Sequence, residues 1–75
     1  MTSIRKRSLT ISGHRTSVSL EDAFWDGLKE LAAARDLTIA ALVREIDEAR
    51  GPAPLSSALR LTVLQFYQDQ AQRVL

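Results

Sequence analysis

The side chains with the plainest chemistry are cations and hydroxyls near the start of the chain. Arg5, Lys6 and Arg7 run together in "SIRKRSLT". Arg15 follows in "HRTSVSLED", with Ser17 and Ser19 at intervals of two. In an extended segment that spacing puts Arg15, Ser17 and Ser19 on one face. A guanidinium is a rigid fork of donors, and a hydroxyl can donate or accept. Residues 1–19 carry four basic side chains and no acid, whereas residues 20–75 carry six basic and nine acidic ones. The net charge of +1 therefore hides +4 at one end and −3 in the remainder. Such segregation suggests that the basic end meets a polyanion; the bland alternative is a solvated, disordered tail.

Other chemistries lack their residues. His14 is the one histidine and there is no cysteine, so disulfides and a thiolate metal site are excluded and no cofactor is implied. Glu21-Asp22 and Asp47-Glu48 read as helix capping and a solvated face, because paired catalytic carboxylates need a cleft that 75 residues hardly provide. No phosphate-cradling glycine loop or nucleophile–base motif is present, and an enzyme is not expected. Trp25, Phe66 and Tyr67 sit within helical patterns and read as core, not as a stacking platform. No apolar run approaches the ~18 residues of a membrane span. The basic N-terminus is not followed by the long apolar stretch of a secretory signal. The expectation is a soluble cytoplasmic, nucleoid-associated protein.

These side chains must be held by few elements. Residues 1–13 read as an irregular basic arm. "RSLTIS" alternates, with Leu9 and Ile11 on one face, before Ser12-Gly13 breaks or bends it. A second strand there stays open. Residues 14–20 read as a strand, with Val18 and Leu20 inward. Since no other run is of comparable quality, its natural partner is the same strand of a second copy. A helix is expected over 21–35, with Ser19 and Asp22 resembling a capping box. It brings Phe24, Leu28, Leu31 and Ala32 to one face. Gly27 inside it costs about 1 kcal/mol relative to alanine. "ARDLT" makes a turn, Thr38 caps a second helix over 39–50, and Leu42, Val43 and Ile46 point inward. Gly51-Pro52-Ala53-Pro54 ends that helix. A third helix runs from near Ser56 to Arg73. Ala58, Leu59, Val63, Phe66 and Tyr67 make its apolar side, and Leu61 and Leu64 widen it, which suggests burial on two sides. No internal repeat or low-complexity segment stands out.

A strand followed by two helices, over residues 15–50, resembles the ribbon-helix-helix DNA-binding domain of the Arc and MetJ type. The resemblance implies a mainly α fold with a short N-terminal strand. Two chains would pair their strands into an antiparallel two-stranded ribbon, intertwine as a homodimer and share one core. That core would hold Val18, Leu20, Phe24, Leu28, Leu42 and Ile46. Residues 1–13 would be the arm, 14–50 the ribbon-helix-helix core and 51–75 an added helix packed on the dimer. The ribbon would enter the major groove of double-stranded DNA, with Arg15, Ser17 and Ser19 at base edges. Arg5, Lys6 and Arg7, together with Thr38 and the amides of Ile39 and Ala40, would meet phosphates. "LSSALRLTVLQFY" also looks like the second helix of many such proteins, so two registers are open, with 38–50 preferred. More narrowly, "KRSLTISGHRTSVSLEDAFWDGL…LSSALR" resembles small bacterial proteins described only as predicted members of this class. The resemblance implies a transcriptional regulator, a repressor above all. Two other readings remain. One is an antitoxin whose residues 51–75 cover a toxin, and the other is a helical scaffold that does not bind DNA. Assembly beyond the dimer stays open.

Overall fold

The computed structural model describes residues 3–74. Two strands come first, β1 (Ile4–Ile11) and β2 (His14–Glu21), followed by α1 (Asp22–Ala34), α2 (Ile39–Ala49) and α3 (Leu55–Val74). The strands form one antiparallel hairpin in register from Ile11 opposite His14 to Ile4 opposite Glu21.

This hairpin corrects the sequence reading in two ways. Most of the supposed arm is a strand, and β2 finds an antiparallel partner within its own chain. The physical reason is the turn. Ser12 and Gly13 have φ of 52° and 80°, and two positive φ values are what a tight two-residue hairpin turn of the primed type requires. A two-residue loop brings its strands together at little entropic cost. The other edge of β2 is partly covered as well. The Ser19 N–H donates to Ser56 Oγ at 3.3 Å and Arg60 donates to the Ser19 carbonyl at 3.4 Å.

Glu21, with extended backbone, is the N-cap of α1 and makes no side-chain cap bond. The expected Ser19–Asp22 capping box is absent because Ser19 belongs to β2 and Asp22 is taken by arginines. The helix ends with Asp36 at φ 57°. Leu37 N donates to the Ala32 carbonyl at 2.8 Å and Asp36 N to that of Ala33 at 3.1 Å. This is the Schellman arrangement, and it turns Leu37 onto the core. Thr38 then caps α2 as expected, its Oγ1 accepting from Ala41 N at 3.0 Å. Gly51, at φ 62°, follows the last turn of α2. The third helix starts at Leu55, one residue earlier than expected, with Ala58 N bonded to the Pro54 carbonyl at 3.0 Å.

The core lies between the inner face of the hairpin and the three helices. Leu20, Leu28, Leu42 and Leu59 are fully buried, with Val18, Val43 and Val63 beside them. Burying each large side chain contributes about 1.5–3 kcal/mol. Val18, Leu20, Leu28, Leu42 and Ile46 are thus covered within one chain, and Phe24 packs half-buried against them. Their burial needs no second copy. On α3, Leu61 and Leu64 stay 64% and 47% exposed, so the widened apolar face is covered on one side only.

Candidate nucleic-acid interface

Paired residues of an antiparallel ladder point to the same face. Leu9, Ile11, Val18 and Leu20 face the helices. The opposite face carries the cross-strand pairs Lys6–Ser19, Ser8–Ser17 and Thr10–Arg15. All six residues are exposed. The result is a two-stranded platform of four hydroxyls with a cation at each of two diagonal corners.

The inner face treats its cations differently. Arg7 Nη2 donates to Asp22 Oδ1 at 2.9 Å and Arg5 Nε lies 3.4 Å from the same oxygen. The Arg7 guanidinium also sits 4.6 Å from the centroid of the Trp25 ring, within cation–π range. These contacts tie β1 to α1. The basic cluster therefore splits. Lys6 faces outward, while Arg5 and Arg7 are engaged inside the chain. Across the described residues, three of the ten basic side chains stand in no ion pair, namely Lys6, Arg15 and Arg73. Two of the three lie on the hairpin's outer face, so the free positive charge is concentrated there.

The base of the platform is fixed by Arg60, whose Nε donates to Glu21 Oε1 at 2.9 Å. A hydrogen bond from its own backbone, and then the Arg60 guanidinium, hold the Glu21 carboxyl below its ordinary range. Of the predicted site residues, the structure brings Lys6, Arg15, Ser17 and Ser19 together. Arg5 and Arg7 lie on the other face. Thr38 is the N-cap of α2, and the Ile39 side chain packs on the core. Ser8 and Thr10 belong to the platform and were missed. The alternation of Leu9 and Ile11 was the signal for them, but residues 1–13 read as an irregular arm that breaks or bends at Ser12-Gly13. His14 is exposed at the start of β2.

Elsewhere, an open groove of about 570 Å³ lies between α2 and α3, with Ile46 and Ala58 among its lining. The charges around it are matched, Arg35 to Glu45 at 2.9 Å and Arg50 to Asp47 at 2.6 Å. Among the described residues there is no cluster of metal-ligating side chains and no helix long and apolar enough to cross a membrane.

A ribbon with one polar, cationic face, carried on a small helical core, defines a β-ribbon-and-helix domain. Residues 4–67 match the ribbon-helix-helix domain family, and the chain belongs to it. Members of this family are typically DNA-binding regulators or antitoxins, and their domains are regulatory, not enzymatic. Among solved structures, the chain is similar to an uncharacterized protein from Bordetella pertussis Tohama I. The two are 37% identical with a TM-score of 0.80, over 97% of this chain and 62% of that one. The chain thus spans less than two thirds of that neighbour's length. No curated protein matches.

Proposed function

We propose that the protein is a sequence-specific DNA-binding transcriptional regulator that lays the outer face of its hairpin in the major groove. It acts as a repressor by occluding its site. The observation that carries this reading is the exposed platform of Lys6, Ser8, Thr10, Arg15, Ser17 and Ser19. Two strands are about 5 Å apart, and a groove roughly 12 Å wide admits such a ribbon. Arg15 suits the paired acceptors of a guanine edge, and the serines suit several bases. Lys6 supplies an unpaired charge for phosphate or base. The amides at the start of α2, behind Thr38, supply a further phosphate contact. Arg5 and Arg7 hold the ribbon in place from behind. In this reading the protein works as a homodimer in the cytoplasm, on the nucleoid, and needs no cofactor.

Selection from a pool of random duplexes at near-physiological salt tests the proposal. An enriched element supports it, and Arg15→Ala then costs about 1–3 kcal/mol on that element. Unchanged discrimination between the element and random DNA in that variant removes Arg15 from base readout. Salt-sensitive binding without any element leaves only nonspecific association.

The exposed Leu61 and Leu64 favour a second reading, an antitoxin whose α3 region meets a toxin. The packing of α3 on α1 through Val63 and Gly27 counts against a tail that orders only on a partner. Lys6 and Arg15, cations without partners on one face, count against a scaffold that ignores DNA.

A further inference from the structure

The two strands of the hairpin carry the same message. Lys6-Arg7-Ser8-Leu9-Thr10-Ile11 and Arg15-Thr16-Ser17-Val18-Ser19-Leu20 share one pattern at an offset of nine residues. Each has a cation, a serine two positions on, a second hydroxyl two further, and apolar residues between and after. The register turns this echo into a symmetry. A two-fold axis normal to the hairpin between Ser8 and Ser17 carries Lys6 onto Arg15, Ser8 onto Ser17 and Thr10 onto Ser19. On the inner face the same axis carries Leu9 onto Val18 and Ile11 onto Leu20. The repeat went unseen in the sequence because it is short and its matches are by chemical type.

Resting on the DNA-binding reading above, we propose that the hairpin of a single chain is a complete, pseudo-two-fold reading head. It recognises a short quasi-palindromic element of duplex DNA without a strand from a second copy. Duplex DNA has local two-fold axes that exchange its strands, and a two-fold protein surface matches a palindrome. With the hairpin's axis on such a dyad, β1 presents to one DNA strand what β2 presents to the other. Lys6 and Arg15 are four residues apart along the strands and one strand apart across them. At ~3.3 Å per residue and ~5 Å between strands, their Cα atoms are roughly 14 Å apart. At about 3.4 Å rise per step that is about four base pairs. The symmetry is imperfect in one useful respect. Arginine can grip a guanine edge with a rigid fork, whereas lysine is a point charge. The Arg15 side of the element is therefore the stricter one. The inner positions Arg7 and Thr16 also differ, because Arg7 anchors the ribbon to Asp22 and Trp25.

The test is selection from random duplexes with the full chain and with Lys6→Ala and Arg15→Ala. Both side chains are exposed and outside ion pairs, and unfolding curves check that each variant keeps its fold. For the wild type the expected result is an element with a quasi-dyad. Each variant relaxes one side only of the quasi-dyad under each hairpin, and the sides relaxed by the two variants are mirror images. Each weakens binding to the wild-type element roughly 5- to 100-fold. If Arg15→Ala relaxes both sides at once and Lys6→Ala relaxes neither, the ribbon consists of two β2 strands from two chains. That result overturns the inference and leaves DNA recognition standing. If the wild type enriches no element, the sequence-specific reading on which the inference rests itself falls, and salt-sensitive binding leaves only nonspecific association.

Discussion

Replacing Gly27 by alanine separates a firmly packed third helix from a loosely attached one. In an exposed helix the substitution stabilises by about 1 kcal/mol, because glycine is the more costly residue to order. Here a methyl group at position 27 would lie 2.6 Å from Val63 Cγ1 and 3.1 Å from Tyr67 Cε2. The Val63 contact cannot be relieved by a small rotation alone, since Val63 is β-branched and buried, and the more exposed Tyr67 ring must also give by a few tenths of an ångström. Overpacking of this kind costs about 1–3 kcal/mol. The two effects oppose each other, and the clash is the larger. The expected net result is a loss of about 1 kcal/mol, or a fall in Tm of roughly 4–8 °C for a domain of this size. Urea unfolding followed by the fluorescence of Trp25, the one tryptophan, gives the number. A double-mutant cycle with Val63→Ala sharpens it. Val63→Ala alone removes buried methyl groups and destabilises, but in the Gly27→Ala background it makes room and costs less, with a coupling of about 1 kcal/mol. A gain of about 1 kcal/mol for Gly27→Ala alone would refute the packing of α3 on α1. It would also revive residues 51–75 as a segment free to fold on another protein.

Gly13→Ala meets nothing within 4 Å, yet φ is +80°, so the whole cost is backbone strain of about 1–2 kcal/mol; an unchanged midpoint in denaturant would remove the tight turn. Arg7→Ala should destabilise by roughly 1 kcal/mol through the lost Trp25 stacking and the lost, half-exposed Asp22 pair, while leaving the salt slope of DNA binding unchanged. A slope that falls by ~0.9 would place Arg7 on a phosphate. The Tyr67 hydroxyl donates to Glu30, which raises its pKa above the ordinary value of 10.0. The unfolded chain then ionises first, so this contribution to stability is complete below that value and is lost as pH rises through the folded pKa. An ultraviolet titration of this single tyrosine should show late ionisation that returns toward 10.0 in Glu30→Gln, and identical curves would deny the hydrogen bond.

Local chemistry was enough to place most elements. Apolar spacing located α1, α2 and α3 to within a residue or two, because a 3.6-residue period is written into the side chains that must be buried. Thr38 and Gly51 marked helix ends by their own conformational preferences. Alternation in residues 14–20 set the outward face of Arg15, Ser17 and Ser19 before any coordinates. Tertiary structure decided where β2 finds its partner. A strand carries no label for the edge it pairs with, and Ser12-Gly13 is a weaker turn signal than Asn-Gly. Only the closed hairpin turned the basic arm into β1 and set Lys6, Ser8 and Thr10 beside the residues of β2. The fate of the cations was also beyond the sequence. Arg5, Lys6 and Arg7 are neighbours with the same charge, yet alternation sends Lys6 outward and leaves the other two within reach of Asp22. Charge is a property of composition, whereas free charge depends on which acid the fold brings close.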